Sequence, residues 1–539
     1  MRGEWGVDEL ISCGRHSRTA RIALLTLLCC AVTAPAASAT EAPGGWHQYG
    51  GSAARTHEAA GAYGLALYRK WCANLPAGVY SIPATGAGAI FVGCDDGALY
   101  SLDASSGAQR WSFKPESGAK FRSAPAYQGG FVVAASADGT VYCVDASSGI
   151  EKWRFPAGLS VTSPLAVSGD SALVASGDGR VLRIRMADGQ PVWQYAMQGE
   201  FMSSAPCAGG GAVFVTTLGT RAEGGWVCAI DENTGALRWR TQIPGWLGNT
   251  VTFSDGKVIV ASTGFKTGGV YCLDAAGGSL LWGPLCGDNN YWSPPAVSGG
   301  KVFAGNTGWL YCADLSTGAV LWRWQAPSVT RKAGRRAQQY EALVRTPIVS
   351  GSRVYVNTCF EVPGPNDVFA VSALTGATLW RNEIPARPGS GLCAGDDSIV
   401  LGGAGGEVLA LSPVSVFLNG VRVAMDDSPP LILESRTRLP CRALFEAVGF
   451  RVRWNGTTRT VTCDDGQRSV VMVAGSRSAT VNGGELQLEA PLTVMGGRAM
   501  APVRAVVEAL GGSVAWDPVK YAVVVRLDRA VQSTGVGLQ

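Results

Sequence analysis

The sequence predicts a mainly β protein, an eight-bladed β-propeller followed by a small α+β module that is itself duplicated. Three observations carry this prediction. A unit that ends in tryptophan recurs eight times, each unit holds four short runs separated by turn residues, and a different duplication begins after residue 411. Four strands in a unit of about 40 residues is the period of a propeller blade, since a single blade cannot bury both faces of its sheet alone.

The first 39 residues have the pattern of an export signal. Three arginines precede an apolar run over residues 22–32, and Ala37-Ser38-Ala39 has the small-x-small form of a cleavage site. The run is too short to span a bilayer, which makes a membrane anchor the weaker alternative. A lipoprotein is also weakly supported, because bulky Leu28 precedes Cys29. We therefore expect a mature chain that is secreted or held in the cell envelope, without a transmembrane segment.

The repeated unit reads Asp-Gly-x-Val-Tyr-Cys-x-Asp-Ala-x-x-Gly-x-x-x-Trp, most clearly over Asp138–Trp153 and Gly308–Trp322. Most of its tryptophans are 40 to 46 residues apart, and insertions lengthen the last interval to 58. Each large ring is expected to pack between neighbouring blades. The repeat tryptophans are Trp71, Trp111, Trp153, Trp193, Trp239, Trp282, Trp322 and Trp380.

Each unit predicts four strands in order. A Ser-x-Pro opening such as Ser123-Ala124-Pro125 begins the first, and Gly130–Ala134 is a typical second strand. The Asp138-Gly139 turn leads to the third strand, and the repeat tryptophan lies on the fourth. The last set, Leu392–Leu411, has no tryptophan after it, so we expect the strand Leu65–Cys72 to complete that blade and close the ring. A solenoid or two separate sheets are the alternatives.

Composition excludes some classes of function. The net charge of +4 over 539 residues offers no basic stripe for a nucleic acid. After the signal, His47 and His57 are the only histidines, which argues against a histidine-based triad or metal site. Cys143, Cys272 and Cys312 occupy one repeat position, as expected of small buried residues. Export would permit disulfides, but their pairing does not follow from the sequence.

The repeat, with its Asp-Ala-x-x-Gly-x-x-x-Trp turn, resembles that of the pyrroloquinoline-quinone (PQQ)-like propellers over residues 46–411. The opening Trp46-His47-Gln48-Tyr49-Gly50-Gly51 is similar to the lead-in of that family. The Gly-His and Trp-Asp dipeptides of WD repeats are missing at the repeat positions. The resemblance implies either a quinoprotein dehydrogenase or a member without cofactor, such as the BamB-type assembly lipoproteins of the bacterial outer membrane.

In the dehydrogenases, the resemblance would imply a vicinal disulfide, a calcium ion and a catalytic aspartate. The only adjacent cysteines are Cys29-Cys30, inside the predicted signal. Asp95-Asp96, Asp138 and Asp178 are candidate calcium ligands, but each lies in or beside an Asp-Gly turn, which favours a structural role. We therefore expect no cofactor, no metal and no catalytic residue.

After Leu411 a second duplication appears. Residues 439–454 correspond to residues 501–516 with an offset of 62, each copy carrying a proline, a short helix pattern and a glycine stop. Arg442/Glu446 and Arg504/Glu508 are i, i+4 pairs on the two helices. Over residues 414–528 the motifs resemble the copper amine oxidase N-terminal domain, a stalk-like module of secreted bacterial proteins. This copy has no histidine, which predicts a spacer or attachment domain, while a ligand site at the Arg–Glu pairs is the alternative.

Propellers bind ligands where the loops leading to their innermost strands converge. The residues just before the Ser-x-Pro openings are therefore the predicted ligand-binding set, with a role as channel-filling core as the alternative. A second candidate is the basic insertion over residues 323–345, expected to be a partner-binding loop or short helix, or else a solvated loop. The mouth residues are Tyr80, Arg122, Met202, Trp246, Trp292 and Arg345, and the insertion residues are Arg331, Lys332, Arg335 and Arg336.

These observations favour an exported, non-catalytic scaffold. Its partner would be an envelope protein, a peptide or a cell-wall glycan, and aromatic and arginine residues at the mouth are typical of recognition surfaces. The alternative is a PQQ-dependent oxidoreductase with an atypical site. A wall-anchored module, binding through residues 414–528 alone, is a third possibility.

Overall fold

The computed structural model describes the chain in sixteen ranges, and all of them lie in one compact unit. The predicted signal, residues 1–39, falls outside the described residues, as do Met202 and Arg335. Among the described residues, no helix is long and apolar enough to cross a membrane. The ranges are 46–59, 63, 66–197, 204–219, 223–248, 251–263, 268–288, 292–333, 336–360, 366–385, 387–423, 425, 430–433, 436–495, 497–518 and 520–527.

In the described part of residues 68–412, eight antiparallel sheets, numbered here as blades 1 to 8, follow one another and form a β-propeller. Blades 1 and 2 consist of Ala84–Gly86, Ala89–Gly93, Leu99–Asp103 and Gln109–Phe113, then Ala126–Gln128, Phe131–Ala135, Thr140–Asp145 and Glu151–Pro156. Blades 3 and 4 consist of Ala166–Ser168, Ser171–Ala175, Arg180–Arg185 and Pro191–Ala196, then Cys207–Gly209, Ala212–Thr216, Gly225–Asp231 and Leu237–Ile243.

The remaining blades repeat this order. Blades 5 and 6 consist of Thr252–Ser254, Lys257–Ser262, Gly268–Asp274 and Leu280–Asp288, then Ala296–Ser298, Lys301–Gly305, Trp309–Asp314 and Val320–Gln325. Blade 7 has five strands, Leu343–Val344, Ile348–Ser350, Arg353–Cys359, Asn366–Ser372 and Thr378–Ile384. Blade 8 consists of Cys393–Ala394, Ile399–Gly402, Glu407–Ser412 and, from the other end of the ring, Tyr68–Asn74.

The ring closes as the sequence predicts. The strand Tyr68–Asn74 pairs antiparallel with Glu407–Ser412, and Trp71 lies opposite Ala410. The observed strand begins at Tyr68 rather than Leu65 and runs two residues beyond Cys72. The first strand of the ring therefore completes the last blade. Hydrogen bonds within that one sheet join the two ends of the propeller.

The repeat tryptophans join adjacent blades. The Trp111 Nε1 donates to the Ala146 carbonyl of the next blade at 2.8 Å, and Trp153 Nε1 donates to the Met186 carbonyl at 2.8 Å. Each ring packs on the glycine of the next turn: Gly149 has φ of +72°, and a Cβ there would lie 2.7 Å from the Trp111 ring. The same docking recurs at Trp71, Trp193, Trp239, Trp282 and Trp322.

The cysteines of the propeller are small core residues. Cys143 packs with Val133 in the core between blades 2 and 3, and Cys272 and Cys312 are equally buried. The eleven cysteines whose side chains the structure describes are free thiols, and all of them but Cys72 are buried. Burial raises the pKa of Cys143 to about 12, so this thiol stays protonated at neutral pH.

The basic insertion is a β-hairpin, where the sequence predicted a loop or short helix. Its strands, Ser328–Ala333 and Arg336–Glu341, pair antiparallel through the two-residue connection 334–335. Charge alone does not distinguish a strand from a loop, which is why the sequence does not predict these two strands.

The C-terminal module contains three sheets and two helices. The helices are α1, Cys441–Ala447, and α2, Val503–Ala509, and each follows a proline and ends before a glycine with positive φ, as predicted. The strands are Ser415–Leu418, Val421–Arg422, Leu431–Leu433, Arg436–Pro440, Arg451–Asn455, Thr460–Asp464, Ser469–Val473, Ser478–Val481, Gly484–Gln487, Thr493–Met495, Arg498–Ala501, Ser513–Asp517 and Ala522–Arg526.

The two halves of the module share one core. Strand Arg436–Pro440 of the first half pairs antiparallel with Arg498–Ala501 of the second, and Leu444 and Val506 of the two helices are both fully buried. The module also contacts blade 8, where the Ile432 N–H donates to the Tyr68 hydroxyl at 2.9 Å. Tyr68 packs on the module core and lies edge-on to Trp380, the repeat tryptophan of blade 7.

Candidate functional site

The centre of the propeller is filled by the lead-in segment, residues 46–59. The lead-in segment hydrogen-bonds to the second residue of the innermost strand in every blade. Successive residues of the segment contact successive blades round the ring. The Thr85 N–H donates to the Trp46 carbonyl at 2.7 Å, and the Val349 N–H donates to the His57 carbonyl at 2.9 Å. The intervening contacts are His47–Tyr127, Gln48–Val167, Ala53–Ala208, Ala54–Phe253 and Thr56–Val297, and Trp46 also bonds to Ala394.

This segment lies towards one end of the channel, called here the hairpin end, where the first two strands of each blade connect. Glu58 accepts a hydrogen bond from Ser298, and Tyr63 N–H donates to Ser350, two residues that close innermost strands. The Tyr63 hydroxyl donates to the Gly395 carbonyl in the equivalent turn of blade 8. The lead-in segment therefore closes the hairpin end.

Four large side chains of the lead-in segment occupy the interior, since Trp46, Tyr49, Arg55 and His57 are all buried. The Arg55 guanidinium donates to the carbonyls of Tyr49, Leu165 and Pro206 at 2.8, 3.0 and 2.6 Å. His57 lies edge-on to both the Trp46 and Tyr49 rings. The Leu165 and Pro206 carbonyls thus tie Arg55 to the segments that lead into blades 3 and 4, and the Tyr49 carbonyl ties it to the lead-in segment itself.

Burial determines the charge of this interior. It lowers the pKa of Arg55 to about 10, so the side chain remains cationic at neutral pH. Burial, and secondarily the Arg55 charge, lower the pKa of His57 to about 3. Neither His57 ring nitrogen has a hydrogen-bond partner among the described residues. His57 is therefore a neutral core side chain.

The opposite end, called here the loop end, carries the segments that lead into the innermost strands. Tyr80 is 44% exposed there, and the Arg122 guanidinium lies 5.3 Å from the centre of its ring. Arg122 also forms two hydrogen bonds to Asp95, of 2.8 and 2.6 Å, while Lys120 Nζ lies 3.0 Å from the same carboxylate. These bonds, led by that from Arg122, hold the pKa of Asp95 below its usual range.

A second exposed group lies on the loops of blades 4 and 5. Trp246 is 39% exposed, and its backbone pairs with Thr263. The N–H of the next residue, Leu247, donates to the carbonyl of Leu218, itself an exposed apolar side chain. Leu159, on the loop into blade 3, is 61% exposed. Leu159 and Leu218 are not beside a Ser-x-Pro opening, and no sequence motif marks them as exposed.

Two of the predicted mouth residues, Trp292 and Arg345, contact other parts of the propeller. Trp292 is fully buried and stacks obliquely on Tyr311 at 5.3 Å, so the prediction that it faces a ligand does not fit this structure. Arg345 is half-buried, and its guanidinium donates to the carbonyls of Pro388 and Gly389 in blade 8 at 3.3 and 3.4 Å. Arg345 thereby links blades 7 and 8. Ligand binding by Tyr80, Arg122 and Trp246 remains a prediction.

The basic residues of the insertion lie on the two hairpin strands. Arg331 and Lys332 are opposite Gln338 and Ala337, and Arg336 is opposite Ala333 at the end of the ladder. These three basic residues lie towards the connection at the end of the hairpin, while its other end, at Ser328 and Glu341, is followed by the Thr307–Leu343 bridge that joins blades 6 and 7. A partner-binding role for this hairpin remains a prediction.

The aspartates that resembled calcium ligands serve other contacts. Asp96 accepts hydrogen bonds from the Ala98 N–H and the Tyr100 hydroxyl. Asp138 accepts one from the Thr140 N–H, and Asp178 pairs with the Arg180 guanidinium. Among the described residues, no group of three His, Cys, Asp or Glu side chains is placed to hold a metal ion.

The described residues do not fit a quinone site of the kind implied by the dehydrogenase resemblance. The channel interior is occupied by aromatic rings and one arginine, and the side chains there include no carboxylate. The free thiols of the propeller include no adjacent pair.

Two family models match the chain. One, described as outer membrane protein assembly factor BamB, matches residues 58–206, 178–283 and 266–415. The other, described as copper amine oxidase N-terminal domain, matches residues 417–525. A curated relative, the outer membrane protein assembly factor BamB of Pseudomonas aeruginosa, is 27% identical over 145 residues, which is 26% of this chain. The match spans 37% of the relative's length, little more than a third.

Solved structures share the fold. BamB from Moraxella catarrhalis is 18% identical with a TM-score of 0.51, and the match covers 64% of this chain and 99% of that one. A quinohemoprotein alcohol dehydrogenase from Comamonas testosteroni is 13% identical with a TM-score of 0.53, covering 76% of this chain and 85% of that one. At these identities the similarity shows the β-propeller fold alone.

Proposed function

Because this chain belongs to the family described as outer membrane protein assembly factor BamB, over residues 58–415, we propose that it is an exported, non-catalytic scaffold that binds a protein of the cell envelope. The binding surface is the loop end of the propeller. The C-terminal module serves as a spacer or attachment domain beside blade 8. The expected location is the cell envelope or its exterior, as the predicted signal implies.

One observation carries the proposal: the two ends of the channel differ in what they present. The hairpin end is occupied by the chain's own lead-in segment. The loop end presents the exposed aromatic rings of Tyr80 and Trp246, with Leu159 and Leu218, whereas the exposed apolar side chains in the turns at the other end, such as Ile150 and Leu374, are aliphatic. Large aromatic side chains contribute most to binding when a partner covers them, and the surrounding loops hold them on a rigid ring.

The charges of this surface define the partner more closely. Arg122 and Lys120 surround the single carboxylate of Asp95, which leaves a net positive group beside the Tyr80 ring. A mildly acidic protein segment with exposed apolar side chains would complement it. Such charge complementarity affects the rate and specificity of association more than its strength.

The experiment compares partner recovery by the intact chain and by variants of the loop end. Envelope proteins that copurify with the affinity-tagged mature chain are identified by mass spectrometry and quantified. Replacing Tyr80 and Trp246 by alanine should lower the recovery of a specific partner about tenfold. The matched control replaces Ile150 and Leu321, which are at least as exposed as the loop-end pair; Ile150 directly precedes the outer strand of blade 2 and Leu321 lies on the outer strand of blade 6.

Three outcomes would overturn the proposal. The control pair could lower recovery as much as the loop-end pair, or no partner could depend on either pair. Stoichiometric binding of PQQ and calcium by the purified chain, with dye-coupled oxidation of an alcohol or sugar, would favour the oxidoreductase alternative instead.

A further inference from the structure

The second half of the C-terminal module contains a cleft of about 320 Å³. Its apolar walls come from α2, from strands Ser513–Asp517 and Ala522–Arg526, and from the first-half strand Arg436–Pro440. The volume lies at the lower end of the range of roughly 300–1,000 Å³ found for small-molecule sites. The cleft belongs to the module and not to the loop end of the propeller. The side chains on its walls are Ile432, Leu439, Val503, Val514 and Val523.

Polar and aromatic groups lie at the edge of these apolar walls. Trp516 is 40% exposed and lies edge-on to Tyr521 at 5.0 Å, which fixes the ring at the cleft. Arg436 and Glu489 form an ion pair of 2.8 Å across it, and Arg504 lies at the start of α2. The cleft therefore combines a flat aromatic surface with hydrogen-bond donors and one acceptor carboxylate.

The duplication supplies an internal comparison. In the first half, Arg453 stands where the second half has Ala515, and Arg453 is paired with Asp464 beside the exposed Trp454. Ala515 belongs to the strand that lines the cleft, and its neighbours Val514 and Trp516 share the strand face opposite to its side chain. The two halves thus share one framework, with Trp454 and Trp516 at equivalent positions, so the first half serves as an internal control.

A second difference concerns charge. In the first half Arg442 pairs with Glu446 at 3.4 Å on α1. The equivalent Arg504 forms no ion pair among the described residues, although Glu508 follows it at the same spacing. Arg436 is neutralised by Glu489. The cleft consequently has one uncompensated positive charge, that of Arg504.

We propose that this cleft binds a short saccharide that carries a carboxylate. A sugar ring offers an apolar face of C–H groups to the Trp516 ring. Its hydroxyl groups both donate and accept, which matches the Arg436–Glu489 pair, and its carboxylate pairs with the Arg504 guanidinium. A simple aliphatic acid would use the arginine but leave the Glu489 carboxylate without a donor from the ligand. This site is independent of the loop end of the propeller.

The test measures binding to the full mature chain by isothermal titration calorimetry. The probes are the trimer of galacturonic acid and a hyaluronan tetrasaccharide, with galactotriose as the neutral counterpart. We expect at least one acidic probe to bind and galactotriose to bind about tenfold more weakly. Arg504→Gln and Trp516→Ala should each weaken binding of the acidic probe about tenfold, and Arg504→Lys should retain part of it.

Variants of the first half are the matched controls. Arg442→Gln and Trp454→Ala change the equivalent residues and should leave the affinity unchanged. Thermal melting checks that each variant is folded.

The proposal is overturned if neither acidic probe binds at millimolar concentration, if galactotriose binds equally well, or if the first-half variants weaken binding as much as the second-half variants. Each of these results would leave the proposed recognition by Tyr80 and Trp246 unaffected, since that is measured with the propeller variants and an envelope protein.

Discussion

The two ends of the propeller channel are built from different kinds of contact. At the hairpin end, one segment of the chain bonds to the same position of all eight innermost strands, almost entirely through backbone groups. At the loop end, the blades differ from one another in the side chains they expose. Contacts through the backbone depend on the regular geometry of the ring, whereas recognition depends on residues that vary from blade to blade.

This difference separates stability from binding in the molecule. The hairpin end contains a buried arginine and a buried neutral histidine whose removal or protonation should affect the whole fold. The loop end contains exposed side chains that contribute little to folding. Substitutions at the hairpin end should therefore lower the free energy of unfolding, whereas substitutions at the loop end should mainly weaken partner binding.

The largest expected effect comes from Arg55→Ala. The substitution leaves three buried carbonyls without their donor and removes a large buried side chain, which should lower the free energy of unfolding by about 3 kcal/mol or more. Arg122→Ala, at the loop end, is the matched control and should change it by less than about 1 kcal/mol, since that ion pair is exposed. Urea unfolding followed by tryptophan fluorescence measures both. Equal effects would contradict the comparison.

The next effect is a dependence on pH that originates at the hairpin end. The pKa of His57 is about 3 in the folded chain, against about 6.5 when unfolded. The unfolded state therefore takes up the proton first, and stability present above pH 6.5 is lost as the pH falls towards 3. Between pH 7 and 4.5 the loss should be roughly 3 kcal/mol.

His57→Gln tests this dependence, because glutamine cannot be protonated in this range. Its stability should fall less than that of the parent chain over the same interval, measured by urea unfolding at each pH. If both chains lose the same stability, His57 is not the buried neutral group described above.

The smallest effect on folding is expected at the loop end. Replacing Tyr80 and Trp246 together by alanine should lower the melting temperature by only a few degrees, because both side chains are more than a third exposed and lie outside the blade cores. A larger decrease in the melting temperature, measured by circular dichroism, would mean that these residues belong to the core of the blades, and any loss of partner binding would then have a structural cause.

The sequence was sufficient for the parts of the fold that repeat. The tryptophan spacing and the Asp-Ala-x-x-Gly turn predict the blades, and the missing tryptophan after Leu411 predicts the closing strand. The offset of 62 residues likewise predicts both helices of the module. Each of these features has a side-chain signature that recurs in register, and so it can be recognised without coordinates.

The remaining features depend on contacts that have no such signature. The lead-in segment bonds through backbone groups to residues as far away as Ala394, and no side chain marks those partners. Trp246 and Trp292 follow the same pattern in sequence, yet one is exposed and the other buried, since exposure depends on how each loop folds over its neighbours. The offset of 62 residues alone shows that Ala515 stands where the first half has Arg453. It does not show that a cleft lies next to Ala515.

The comparison of the two ends is tested most directly by site-specific photo-crosslinking in the native cell envelope. A photoreactive phenylalanine analogue is placed at Tyr80 or Trp246 on the loop end, or at Gln128 or Ser254 beside the hairpin turns of blades 2 and 5. The account predicts crosslinks to one envelope protein from the loop-end positions and none from the hairpin-end positions. Crosslinks to that protein from Gln128 or Ser254, with none from Tyr80 or Trp246, would contradict it.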